Sequence, residues 1–181
     1  MPASAMMRKP AAGAAIVIAI VGAAAILGAF FFQYQLGLAP CPLCLEQRIA
    51  YYFSIPLALI VAFTAARGVP RALLLAGLAL IALAMLVNAT LGVYHAGIEW
   101  KFWPGPADCS GPVTGLGRAS DLMRQLQNVS VVRCDEAAWR FFGLSLAGYN
   151  GLISLALAAV AAAGFVAGLR QPAGDRDAAW R

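Results

Sequence analysis

Residues 11–32 read AAGAAIVIAIVGAAAILGAFFF, 22 residues without one charge. At 1.5 Å per residue such a helix crosses the roughly 30 Å hydrocarbon layer of a bilayer. Three more runs of the same kind follow, at about 49–66, 72–94 and 144–169. The second is interrupted only by Ser54, Pro56 and Thr64, and the third only by Asn88 and Thr90. In lipid every backbone group has to find its partner within the protein, so each run is expected as a helix, with Pro56 a site for a kink. The expected fold class is therefore all-α, an integral membrane four-helix bundle forming a single membrane domain over residues 1–181. Composition agrees: 62% of residues are hydrophobic and 12% charged, far from a soluble domain. Arg8 and Lys9 precede the first run, as they would in a signal peptide. That run is longer than a signal h-region and three spans follow it, so it is read as an uncleaved span.

Four spans put both termini on one side. Arg8, Lys9, Arg67, Arg71, Arg170, Arg176 and Arg181 crowd into the short segments there. Arg48, Lys101, Arg118, Arg124, Arg133 and Arg140 are spread through much longer loops, about 33–48 and 95–143. The denser side is expected to be cytoplasmic. The net charge of +5 is thereby a matter of loop placement, not of nucleic-acid affinity.

The same topology carries all four cysteines, Cys41, Cys44, Cys109 and Cys134, to the outer side, where disulfides form and persist. Cysteines serving only as small apolar packing residues would not be expected to cluster so. The motif CPLCLEQR at 41–48 fits a redox dithiol, half a zinc site or two buried thiols. A four-cysteine zinc site needs two closely spaced pairs, and here the second pair encloses 24 residues, so no metal is expected. Haem is excluded twice: one histidine cannot make a bis-histidine site, and Leu45 stands where a haem-attachment motif has histidine.

If the second helix begins near Cys44, that sulfur sits in its first turn, where free amides and the positive dipole end favour a thiolate. Arg48 lies one turn further on the same face, where a cation lowers a thiol pKa, although snorkelling to headgroups also explains it. His95 closes the third span on the same outer face, either as a donor to a carbonyl-bearing acceptor or as a helix-end residue. The Cys109–Cys134 loop would contribute about 3 kcal/mol if closed by a disulfide, so a structural staple is one reading of that pair. Leu116, Ala119, Leu122, Met123 and Leu126 recur at helical spacing and suggest a short amphipathic helix in that loop. Trp100, Phe102 and Trp103 suit an interfacial aromatic belt. Two outward cysteine pairs on one small bundle suggest a relay, because disulfides pass by thiolate attack through mixed disulfides.

Taken together, CPLCLEQR opening a second span, His95 closing a third, a lone loop pair, and CDEAAWRFFGLSL opening a fourth resemble the DsbB family of inner-membrane disulfide bond formation proteins. The resemblance runs from the first span to about Leu169. It implies a quinone-dependent oxidoreductase, using ubiquinone or menaquinone, that reoxidises a periplasmic DsbA-like thioredoxin-fold oxidase. It implies an active site facing the periplasm from the bacterial inner membrane. By matching position, Cys109 would take the partner's thiolate and Cys134 would pass electrons to Cys41. Cys44 would face the quinone beside Arg48, with His95 at the quinone site. A DsbA-type oxidant, at roughly −120 mV, needs a stronger electron sink still, and the membrane quinone pool provides one. The vitamin K epoxide reductase-like family carries its loop pair before the Cys-x-x-Cys, the reverse of the order here. A membrane protein with two inert disulfides remains the reading from outside enzymology.

Overall fold

The computed structural model describes residues 3–67, 69–106 and 133–170, with side chains from residue 10 onward. Four helices dominate: α1 (Ala3–Tyr34), α2 (Pro42–Arg67), α3 (Arg71–Glu99) and α4 (Leu146–Arg170). Each contains a stretch long and apolar enough to cross a membrane. The chain is thus a multi-pass membrane protein built as a four-helix bundle. Large apolar side chains cover the outside, among them Ile20, Leu27, Ile60, Leu83 and Leu155. In water such a surface would be an aggregation liability, and in lipid it is the solvent-matched face.

The interior follows from spacing. Buried α2 positions are Leu43, Gln47, Tyr51, Ser54, Ala58, Val61 and Ala65, spaced by three or four residues. That is one stripe of a helix packed along a neighbour, and many of the residues are small. Consecutive helices pack side by side, and α4 closes the ring against both α3 and α1. The tightest approach lies between α3 and α4. A Cβ added at Gly92 would stand 2.7 Å from the Cα and N of Gly151, so backbone meets backbone there. Ile18, Leu78, Ile81, Met85 and Leu157 fill the apolar core between the helices.

Two boundaries differ from the apolar runs. The second helix begins at Pro42, not Ile49, because proline suits a first helical position and Cys41 caps it: the Cys44 amide donates to Cys41 Sγ at 3.2 Å. It then runs through Pro56 without a break. The third helix runs past Tyr94 to Glu99, where polar residues are buried instead of forming a loop. It ends with Phe102 N–H on Gly97 O at 2.9 Å and Lys101 N–H on Ile98 O at 3.0 Å, a Schellman close. The left-handed position of that close is usually glycine, and here Lys101 takes it with φ 62°. Before α4 the chain makes a two-residue antiparallel hairpin, β1 (Arg140–Phe141) with β2 (Leu144–Ser145). Phe142 and Gly143 turn it with φ of 46° and 81°, the signs of a type I′ turn. The expected amphipathic helix between 116 and 129 lies outside the described residues.

Candidate active site

At one end of the bundle the N-terminus of α2, the C-terminus of α3 and the segment before the hairpin converge. Cys41, Leu43, Ile98 and Cys134 form a small buried cluster there, with Cys44 packed against it. Cys41 and Cys44 carry free thiols, their sulfurs 2.7 Å apart, whereas Cys134 is disulfide-bonded. Cys41 is buried and Cys44 is half-buried. The hydrogen bond with Cys44, and then burial, push the Cys41 thiol above the ordinary thiol range.

His95 lies beside this pair, its Nε2 3.7 Å from Cys41 Sγ. The ring also hydrogen-bonds the Cys134 backbone. Cys41 Sγ, the His95 ring nitrogen and Cys134 Sγ lie within 4.8 Å of one another. Such a trio can mark a metal site, but a sulfur already in a disulfide is no thiolate ligand. What the trio presents is a free thiol next to a disulfide, the arrangement that thiol–disulfide exchange requires.

Cys134 is brought there by polar contacts outside the apolar layer. Lys101 Nζ donates to the Asp135 carboxylate at 2.7 Å and to the Asp135 carbonyl at 2.8 Å. Arg133 makes two further bonds to the same carboxylate, at 2.9 and 3.0 Å. These bonds, Arg133's first, hold the Asp135 carboxyl well below the usual carboxylate range. With a depressed folded-state value, the clamp's contribution is complete above the ordinary carboxylate range and is lost only as pH falls through strong acid. Because the groups are exposed, the clamp is also screened by salt. Lys101→Gly removes the two Lys101 bonds that tie Asp135 to the end of α3, leaves the local Arg133–Asp135 bonds in place, and relaxes the left-handed backbone. The expected result is unchanged or improved thermal stability with Cys41–Cys134 exchange slowed about threefold at low salt, read by timed alkylation of free thiols. Equal rates at low salt would show that the clamp does not position Cys134.

Arg48 turns away from this centre. It is half-buried, and Nη1 donates to Gln33 Oε1 of α1 at 2.7 Å, with the guanidinium 5.4 Å above the Phe30 ring. The structure therefore groups Cys41, Cys44, His95 and Cys134 and sets Arg48 on the α1 side, one turn from Cys44. Cys109 lies outside the described residues. Among the described residues the Gln33 bond uses one of the five guanidinium donors. Exposed Leu45, Ile49 and Phe31 give the same area an apolar, lipid-facing surround. That combination of a cationic donor and apolar surface suits a lipid-soluble quinone.

Sequence reasoning passed over Gln47, Tyr51, Glu99, Asn150 and Ser154. Gln47 is 5% exposed, yet bonded to His95 Nδ1 at 2.9 Å and to Asn150 at 2.6 Å. Glu99 Oε1 lies 3.9 Å from His95 Nε2, and Arg140 donates to the Glu99 backbone carbonyl at 3.2 Å. A signal was present: Gln47, Tyr51 and Ser54 on α2, and Asn150 and Ser154 on α4, recur at turn spacing in apolar helices. Polar residues repeated on one face of a membrane span look inward.

The family model described as disulfide bond formation protein DsbB matches residues 11–164. A disulfide bond formation protein B from Polaromonas sp. is 30% identical over 149 residues, covering 80% of this chain and 86% of its own. The protein of that name from Verminephrobacter eiseniae is 30% identical over 163 residues, with 87% and 89% covered. That from Marinobacter nauticus is 28% identical over 145 residues, with 75% and 80% covered. No solved structure matches the chain.

Proposed function

The chain belongs to the DsbB family of disulfide bond formation proteins, and from that premise we propose that it is a thiol:quinone oxidoreductase reoxidising a DsbA-type disulfide oxidase. The observation that carries the reading is the free Cys41 thiol within 4.8 Å of the disulfide-bonded Cys134 sulfur. The basic residues argue for cytoplasmic termini and for cysteines facing the periplasm of a bacterial inner membrane.

The relay is a sequence of balanced exchanges. A partner thiolate attacks Cys109 of a Cys109–Cys134 disulfide and releases Cys134 as a thiolate. Cys134 attacks Cys41 of an oxidised Cys41–Cys44 pair and releases Cys44. The partner's second thiol then resolves its own mixed disulfide and releases Cys109. Cys109 attacks Cys134, restoring the loop disulfide and releasing Cys41. The net result is an oxidised partner and a reduced Cys41–Cys44 dithiol, the state in which the pair stands in this structure. A quinone bound beside Cys44 would supply the chemistry of an acceptor for the dithiol's two electrons and two protons. Arg48, braced by Gln33 and Phe30, would bind its oxygen and favour the Cys44 thiolate.

Purified protein with a soluble ubiquinone analogue is expected to oxidise a reduced DsbA-type protein catalytically, followed as loss of quinone absorbance together with loss of partner thiols. Loop and Cys-x-x-Cys disulfides both inert to the reduced partner would leave the structural reading in its place.

A further inference from the structure

A line of hydrogen bonds runs from the middle of the bundle to the Cys41 sulfur, and each link has a direction. Asn88 Nδ2 donates to Ser154 Oγ at 2.9 Å. Tyr51 gives its one hydroxyl proton to Asn150 Oδ1 at 2.7 Å, so in the 3.1 Å contact between Tyr51 and Ser154 the serine donates. Asn150 Nδ2 donates to Gln47 Oε1 at 2.6 Å, which turns the Gln47 amide nitrogen to His95 Nδ1 at 2.9 Å. An amide nitrogen has no lone pair to offer, so Nδ1 accepts and the ring proton sits on Nε2. Nε2 is the nitrogen that faces Cys41 Sγ at 3.7 Å, and it shares its proton there with the Cys134 backbone, Glu99 Oε1 lying 3.9 Å away.

Two senses give every contact in the line a hydrogen and every hydroxyl proton an acceptor, the one described and its complete reversal; turning Gln47 and Asn150 alone leaves one hydroxyl proton of the Tyr51–Ser154 pair without one. In the first, Asn88 Oδ1 is a buried atom without a partner. Reversal would orphan the Asn88 amide hydrogens instead, and buried carbonyl oxygens tolerate isolation better than buried N–H groups do. Side-chain amides do not pass protons along, so the line orients rather than conducts.

We propose that Asn150 and Gln47 are positioning residues: they hold His95 as an Nε2–H donor aimed at Cys41 Sγ, so that Cys41 departs as a hydrogen-bonded thiolate. The step is the last exchange of the relay proposed above, on which this role rests. The Cys109 thiolate attacks Cys134 Sγ of a Cys41–Cys134 disulfide, the new S–S bond forms as the old one breaks, and the electron pair leaves on Cys41. No proton or outside oxidant is consumed. A sulfur as enclosed as Cys41 is a poor leaving group unless a donor meets the charge, and aligned bonds behind the donor strengthen it.

His95 is the one histidine of the chain, so histidine-selective 15N labelling of the whole protein in detergent micelles reports a single imidazole. Proton-coupled spectra are expected to place the proton on Nε2. Asn150→Leu should admit the Nδ1–H tautomer, and Gln47→Glu, whose carboxylate only accepts, should convert the ring to it. Both should slow the release of Cys41, read by timed thiol alkylation, about tenfold. Nδ1–H in the unsubstituted chain, or an unchanged tautomer and rate in both variants, would overturn the proposal. A shifted tautomer at full rate would remove the positioning role and leave the relay standing. Exchange absent from the unsubstituted chain would overturn the relay and the role together, while the tautomer would still decide the line's direction.

Discussion

Cys134→Ser is expected to lower quinone-dependent turnover by about a thousandfold or more and, mixed with the oxidised partner, to join it in a mixed disulfide through Cys109, whose thiolate attacks the partner's disulfide and releases the partner's second thiol. Cys134 Sγ is the loop sulfur that stands within 4.8 Å of Cys41, and the Lys101–Asp135 contact fixes the residue beside it. Serine keeps the size but forms no disulfide and is no nucleophile toward one at neutral pH, so a reduced partner finds no loop disulfide to attack and Cys41 receives nothing from position 134. Non-reducing electrophoresis with mass mapping of the bridging peptide reads the result. A complex bridged through Cys41 would show that the partner reaches the membrane-embedded pair directly and that the loop is not its docking point.

Gly92→Val should cost about 3 kcal/mol of bundle stability, near the upper end for overpacking a close contact. A Cβ there meets Gly151 Cα and N at 2.7 Å and Ala147 O at 3.1 Å, all backbone atoms that no rotamer change can move aside. The helices would have to separate, which pulls Asn88 from Ser154 below the contact and displaces His95 above it. Denaturation in detergent measures the loss. Gly28→Ala is the control, since nothing lies within 4 Å of a Cβ at Gly28. Equal midpoints for the two variants would show that the α3–α4 approach is not a tight constraint.

Much of the bundle was legible because lipid leaves a chain few choices. An uncharged run of this length, as at 11–32, has to be a helix, and the spans then sort the cysteines by side. Boundaries were less legible where polar residues lie inside helices. Glu99 reads as loop on hydropathy, yet it is buried against Ser145 and Arg140, so α3 extends to it. Cys41 as a helix cap was foreshadowed by Pro42, whose fixed φ suits the first turn. The hairpin was hidden in an apolar run at Leu144, although Phe142-Gly143 is a turn signal. Arg48 was matched to Cys44 by helical spacing, which fixes only a shared face; its bond to Gln33 depends on where α1 lies. Gln47 meeting Asn150, 103 residues away, is a long-range fact that no local pattern carries.

The directional bonds between described residues are unevenly shared among the four helices. Asn88, Ser154, Tyr51, Asn150, Gln47 and His95 stitch α2, α3 and α4 together, across the diagonal as well as around the ring. The link from α1 among the described residues is the Gln33–Arg48 bond; otherwise its contacts are side chains such as Ala15 and Ile18 packed against apolar neighbours. Hydrogen bonds resist rotation and register shift, whereas packing of small residues resists mainly separation. Three helices are thus joined by a directional network and the fourth by shape, and that fourth helix borders Arg48 on the lipid side of Cys44.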